Sequence, residues 1–153
     1  APPRPEFNAE LRKDYPAVAG SYDRLASVLL DSSGALPEDR TNSFMKEIGS
    51  DFVGNSGSPA FDELKTTTAS RLDRYAVNAY DFVPAEFTKI DEKTIKVSTY
   101  MYIDVVRKPG KEGAVPRYSD YVQPNPEIVW KEYDDKVWRI VSGLPYLSSD
   151  ISF

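Results

Sequence analysis

Tyr100, Tyr102 and Asp104 alternate along one segment, and a carboxylate beside two phenols could perform proton transfer. Residues two positions apart on a strand share a face, so the three side chains would lie together. If that face is buried, desolvation raises the pKa of the carboxyl group toward the range that a general acid needs near neutral pH. The alternative is a solvent-facing surface, because Lys96 and Ser98 would lie on the same face.

The chain of 153 residues contains no histidine and no cysteine. It therefore lacks the commonest general base near neutral pH and the thiolates of zinc sites, disulfides and cysteine nucleophiles. We expect no metal, no cofactor and no enzymatic activity. The net charge is -5, which does not suit binding to a phosphate backbone, so a nucleic-acid partner is not expected.

A β-hairpin is predicted over residues 127–142, where two runs of β-branched and aromatic residues flank Asp134-Asp135. Trp130 and Trp138 lie on its two arms and would form a cross-strand aromatic pair if they share a face. Such a pair fits core packing, a lid over a pocket, or stacking on a ligand.

Tyr118 and Tyr121 precede this hairpin and belong to a set of ten tyrosines in a small protein. Because tyrosine is enriched at protein interfaces, this excess predicts an amphipathic contact surface in addition to core positions.

Four cations surround a loop predicted over residues 108–116, namely Arg107, Lys108, Lys111 and Arg117. A basic loop on an acidic protein could contact an acidic partner or the anionic head groups of a membrane surface. A solvated loop with no binding role is the alternative.

Three helices are predicted to come first, over residues 14–31, 36–52 and 58–80, from apolar residues at a spacing of three and four. Asp14 followed by Pro16 marks the first helix start. Ser58-Pro59, followed by acidic residues, marks the third.

Strands are predicted afterwards, over residues 86–90, 93–107 and 117–122 and in the two arms of the hairpin, with Pro84 ending helical structure. Within 93–107, the residues opposite the Tyr/Asp face are mostly apolar. The order indicates an α+β fold in which three N-terminal helices pack on a curved antiparallel sheet of four to five strands.

Residues 1–13 contain three prolines in the first five positions and predict an extended tether, followed by a single domain over residues 14–153. The chain begins with Ala-Pro-Pro, and we expect a processed start with an export signal or membrane anchor upstream. An apolar run near the roughly 20 residues of a membrane-spanning helix is absent from the sequence.

Residues 83–97 and 129–143, the latter Val-Trp-Lys-Glu-Tyr-Asp-Asp-Lys-Val-Trp-Arg-Ile-Val-Ser-Gly, resemble the closing strands of the NTF2-like superfamily of cone-shaped α+β proteins. The overall sequence pattern is similar to the extracytoplasmic branches of this superfamily, including Mce-associated, periplasmic conjugation-machine and secreted actinobacterial domains. The resemblance implies a concave sheet around a pocket. Some branches use that pocket for small ligands, and isomerases and dehydratases place tyrosines and a carboxylate in it.

The favoured hypothesis is a non-enzymatic, extracytoplasmic accessory or assembly domain that binds protein partners of a cell-envelope system through its open sheet face and its tyrosine-rich loops. One alternative is a small apolar ligand in the cone, and a less favoured one is an isomerase or dehydratase. A homodimer formed through the exposed sheet is a further alternative, because sheets in this superfamily often pair.

Overall fold

The computed structural model describes residues 2–153, and these residues form four helices and five strands. The helices are α1 (Ala9–Asp14), α2 (Pro16–Val28), α3 (Pro37–Met45) and α4 (Phe61–Arg74). The strands are β1 (Tyr75–Asp91), β2 (Thr94–Arg107), β3 (Arg117–Tyr121), β4 (Glu127–Glu132) and β5 (Trp138–Ser142). The predicted α+β class, with helices first and an antiparallel sheet afterwards, is confirmed, with one more helix than expected.

The sheet is built around the long hairpin of β1 and β2, which pair from Tyr75–Arg107 to Asp91–Thr94. The second edge of β2 is shared, because its C-terminal half pairs with β3 and its N-terminal half with β4, which continues to β5. β1 carries three register shifts along its length. Irregularities of this kind bend a strand and increase its twist, so the sheet curves around the helices.

The core lies between the concave face of this sheet and helices α2 and α4. Six alternating residues of β2 face it, and none is more than 4% exposed: Ile95, Val97, Thr99, Met101, Ile103 and Val105. The predicted alternation of β2 is therefore confirmed. We call this side the inner face and the opposite side the outer face.

The prediction that a helix extends through residue 80 is wrong, because α4 ends at Arg74 and residues 75–80 begin β1. Tyr75, Val77 and Tyr80 are buried, and their spacing fits a helix as well as a strand with a register shift. Pairing with β2 decides between the two. Pro84 lies inside β1, next to a register shift, where an edge strand tolerates its missing N–H.

The predicted second helix is also too long, since α3 ends at Met45. The chain then turns, and Ile48 forms a bridge with Ile140 of β5 while Phe52 remains fully buried. The spacing of the apolar residues therefore predicts correctly that Ile48 and Phe52 are buried, but wrongly that they belong to a helix.

The predicted tether is wrong for residues 9–13, which belong to α1. The side chain of Asn8 accepts a hydrogen bond from the Leu11 amide and caps this helix. Leu11 is fully buried, so this part of the N-terminal region belongs to the packed structure.

Candidate functional site

The residues predicted to do proton chemistry lie on the outer face of the sheet. Tyr100, Tyr102 and Asp104 alternate with the buried residues of β2 and point away from the interior of the cone. Tyr121 of β3 pairs with Tyr102, and its ring centroid lies 4.7 Å from that of Tyr102 and 5.5 Å from that of Tyr100. We call Tyr100, Tyr102 and Tyr121 the tyrosine patch.

The carboxylate of Asp104 is occupied by an ion pair at the border of this patch. Arg117 of β3 donates to its two oxygens from Nε and Nη2 at 3.1 and 3.2 Å. The hydroxyl groups of Tyr102 and Ser119 lie 2.7 Å apart beside this pair. The carboxylate is therefore held by a guanidinium on the outside of the sheet and does not face a substrate in the cone.

Burial distinguishes Tyr100 from the rest of the patch. It is 4% exposed, as is Val83, its cross-strand partner on the outer face of β1. Desolvation raises the pKa of Tyr100 to about 12. The low exposure of both side chains shows that part of the outer face is covered.

The two tryptophans share a face but do not form the aromatic pair that the sequence suggested. Trp130 pairs across the strands with Ile140, and Trp138 pairs with Glu132. The Trp130 ring packs against Tyr22, and the half-buried Trp138 ring packs edge-on against Tyr15. Both rings therefore join the sheet to the N-terminal helices.

Tyr118 lies on the opposite face from the tyrosine patch, because it pairs with the inward-facing Val105. Its ring packs against Phe153 with a centroid separation of 5.4 Å. It contributes to the packing of the C-terminal segment, residues 144–153, and not to the outer surface.

The basic loop is engaged mostly with the end of α4. Lys108 donates from its amide to the Arg74 carbonyl and from Nζ to the Leu72 carbonyl, and Lys111 pairs with Asp73 at 3.3 Å. Cations at this end of a helix complement its dipole. Arg107 donates to the Gly113 carbonyl at 3.4 Å. Lys108 and Lys111 therefore cap the C-terminal end of α4, whereas Arg107 bonds within the loop.

A hydrogen-bonded network inside the cone was not predicted from the sequence. The indole N–H of Trp130 donates to the hydroxyl of Tyr22, which contacts the Thr99 hydroxyl at 2.6 Å, and Thr99 donates to the Val97 carbonyl. All three side chains are fully buried. Thr99 is the one polar residue on the inner face of β2. This polar position in an otherwise apolar pattern is the sequence signal that could have predicted a buried hydrogen bond there.

The interior retains a small apolar cavity of about 70 Å³ between α4 and the inner face of the sheet. Leu64, Leu72 and Val105 line it, and the C-terminal segment covers it. Its volume is about half that of the roughly 150 Å³ cavity that accommodates benzene in other proteins. In this structure the cone is largely filled with side chains.

Arg71 lies at the rim of this cavity and holds the C-terminal segment. Its guanidinium donates to the carbonyls of Tyr146, Ile151 and Phe153 and stacks on the Phe153 ring at 4.5 Å. Burial lowers the pKa of Arg71 because it disfavours the charged form. The three carbonyls compensate for part of this desolvation.

Within residues 2–153, groups of three or more side chains able to hold a metal ion are not found. The helices in the same range are too short or too polar to cross a membrane.

Sequence comparison finds neither a protein-family model nor a curated protein that matches this chain. Similar solved structures do exist. A conserved protein from Planctomyces limnophilus is 14% identical, with a TM-score of 0.59 over 86% of this chain and 93% of that chain. A ketosteroid isomerase-like protein from Erwinia carotovora is 12% identical, with a TM-score of 0.54 over 89% and 94%.

A third similar structure, an NTF2-like protein of unknown function in nutrient uptake from Rhodospirillum rubrum, is 15% identical, with a TM-score of 0.51 over 80% of this chain and 92% of that chain. This chain has the NTF2-like fold. The resemblance found in its closing strands is thus confirmed at the level of the fold. Identities this low carry no function from one NTF2-like protein to another.

Proposed function

We propose that this NTF2-like domain is a non-catalytic, extracytoplasmic accessory domain that binds a protein partner of a cell-envelope system through the outer face of its sheet. The tyrosine patch carries the proposal. Tyr121 lies within contact distance of Tyr100 and Tyr102 beside the Asp104–Arg117 ion pair, and Tyr102 and Tyr121 are the two partly exposed rings. Aromatic residues with an arginine at their edge are the composition of an interface centre.

The interior supports a binding role over a catalytic one. The predicted carboxylate lies outside the cone, and the buried tyrosine Tyr22 takes part in a hydrogen-bonded chain that ends on a backbone carbonyl. Burial raises the pKa of both Tyr22 and Tyr80, so neither loses a proton easily near neutral pH. Proton transfer needs a group whose pKa lies near the working pH.

The location outside the cytoplasm rests on the resemblance to extracytoplasmic branches of the superfamily. Fractionation of host cells into cytoplasm, membrane and envelope tests it, and an exclusively cytoplasmic protein would refute it. Contact with anionic membranes also remains a prediction, which flotation with vesicles containing phosphatidylglycerol tests.

Site-specific photo-crosslinking tests the binding surface. A photoreactive amino acid replaces the exposed Ser119, beside the tyrosine patch, and a control replaces the exposed Lys65 on α4. We expect a discrete adduct with a second protein from position 119, none from position 65, and its loss on Tyr102→Ala. Equal adducts from both positions, or no adduct from position 119, would reject the proposal. An adduct between two copies would instead indicate the homodimer.

The apolar cavity favours a second candidate function, the binding of a small apolar ligand. The present volume fits only a very small molecule, and a larger ligand requires displacement of the C-terminal segment that Arg71 holds. Native mass spectrometry of protein purified from its own host would detect a retained ligand. Val105→Leu, which reduces the cavity, should remove that mass if the ligand occupies it.

A further inference from the structure

The proline-rich start of the chain lies along the free edge of β1, and its Arg4 reaches Asp81 on the outer face. Nε of Arg4 is 3.5 Å from a carboxylate oxygen of Asp81. Further along, Asn8 donates from its amide to the Pro84 carbonyl and from its side chain to the Ala85 carbonyl, at 3.1 and 2.7 Å. Residues 4–8 therefore follow β1 in the same direction over residues 81–85.

Within residues 2–5, the two end positions are less accessible than the two between them. Pro2 and Pro5 are half-buried, whereas Pro3 and Arg4 between them are exposed. Proline fixes its own φ and restricts the preceding residue to extended or polyproline II conformations. In a polyproline II helix, which has three residues per turn, residues 2 and 5 would lie on one edge. In that conformation the two less accessible prolines would face the protein, and Arg4 pairs with Asp81.

The surface beside this segment is the tyrosine patch. Asp81 is the cross-strand partner of Tyr102, and Val83 is the partner of Tyr100, all on the outer face. Proline-rich segments in the polyproline II conformation dock on surfaces lined by aromatic rings. A carboxylate beside such a surface pairs with a cation of the segment, as Asp81 does with Arg4.

We propose that the tyrosine patch and Asp81 form a binding site for a partner segment of the type Pro-x-(Arg/Lys)-Pro in the polyproline II conformation, with residues 2–5 occupying its Asp81 end in the same chain. The inference rests on the proposed function and names the chemistry of the partner. The chain's own Pro-Pro-Arg-Pro supplies the pattern.

The contact made by the chain itself is weak enough to be displaced. The Arg4 and Asp81 side chains are 60% and 36% exposed, and ion pairs this accessible add little to stability. Three prolines also remove three N–H donors, so the segment cannot extend the sheet through a regular ladder. A partner segment must still compete with the high local concentration of a tethered one.

Charge exchange in the full-length chain tests the site. The probe is a fluorescein-labelled peptide containing two copies of Pro-Pro-Arg-Pro, with binding measured by fluorescence anisotropy. Arg4→Glu should raise peptide affinity about fivefold by releasing the chain's own segment. Asp81→Lys should weaken this peptide to a similar degree, and a peptide with Glu in place of Arg should bind that variant better than it binds the natural chain.

The aromatic part of the site has its own controls. Tyr102→Ala should lose peptide binding, whereas Tyr102→Phe should retain it, because the ring and not the hydroxyl contacts proline. Lys96→Ala, on the same face of β2 but in the N-terminal half that pairs with β4, should leave affinity unchanged. Circular dichroism verifies that each variant folds.

Two outcomes overturn the inference. Absence of peptide binding to Arg4→Glu at millimolar concentration would reject it, and so would charge reversals whose effects fail to compensate. If the crosslink from position 119 persists while the peptide does not bind, the outer face still binds a partner of different chemistry. If both fail, the proposed function fails as well.

Discussion

The phenol oxygen of Tyr22 lies 2.6 Å from Oγ1 of Thr99, in a part of the core where both side chains are fully buried. The same phenol oxygen accepts a hydrogen bond from the Trp130 indole at 3.3 Å. One hydroxyl thereby joins α2 to β2 and β4. A buried polar chain of this kind is stabilising only while every member keeps its partner, because a lost partner leaves a desolvated polar atom.

Tyr22→Phe should lower the free energy of unfolding by about 1–2 kcal/mol, since the Trp130 N–H then has no acceptor. Thr99→Val should lower the free energy of unfolding by a similar amount, because it removes the hydroxyl that contacts Tyr22. Because the two hydroxyls belong to the same hydrogen-bonded network, the double variant should lose less stability than the sum of the two single losses. Urea denaturation of the four proteins measures this coupling, and strict additivity would show that the contacts act independently.

Arg71→Gln should release the C-terminal segment and lower the free energy of unfolding by about 2 kcal/mol, because a charged donor to three carbonyls is lost. The amides of residues 144–153 should then exchange with deuterium faster than those of β2. The matched control is Arg74→Gln, whose side chain donates only to Ser70 and to the Glu112 carbonyl among the described contacts. Equal effects of the two substitutions would refute a specific role for Arg71.

The sheet was the predictable part of this fold because its signals are local. The alternation along residues 93–107 shows which side of β2 is buried, and the acidic residues between two apolar runs show the final hairpin. The boundary between α4 and β1 was not predictable in this way. Tyr75, Val77 and Tyr80 satisfy both periods, and only the pairing of β1 with β2, some 25 residues later, selects the strand.

The candidate site was predictable in composition but not in placement. Tyr100, Tyr102 and Asp104 were correctly grouped on one face, but whether that face lines the cone depends on the direction in which the whole sheet curves. The role of Arg4 was hidden for a different reason. A contact between Arg4 and Asp81 joins residues far apart in sequence, and no local pattern records it.

Gly143→Ala should destabilise the protein far more than Gly110→Ala. Both glycines have positive φ, at 86° and 76°, so alanine is strained at either position by about 1–2 kcal/mol. At Gly143 the added methyl group would also overlap the Glu127 carbonyl oxygen, whereas at Gly110 it meets open space. We expect losses of about 3 kcal/mol or more and about 1 kcal/mol respectively, from thermal denaturation. Similar losses would mean that β4 can move to accommodate the side chain.

Stability should fall when the pH rises above 10, because folding raises the pKa of several tyrosines. Burial is the main cause for Tyr22, Tyr80 and Tyr133, and it raises the pKa of Tyr100 to about 12, against about 10 for an exposed tyrosine. A group whose folded pKa is raised contributes stability that is fully present below pH 10 and is lost as the pH rises through the folded value. Arg71 acts in the opposite sense, since burial lowers its pKa, but it is one group against these four tyrosines and against Tyr118 and Tyr146, whose pKa burial also raises.

Absorbance at 295 nm, followed together with circular dichroism during an alkaline titration, measures this loss. The tyrosines whose pKa burial raises should ionise late, together with the loss of circular dichroism as the sheet unfolds. Tyr22→Phe is the matched variant and should reduce the late phase by one phenol. Ionisation of all ten tyrosines near pH 10, with the circular dichroism unchanged, would show that these phenols are not desolvated in the folded chain.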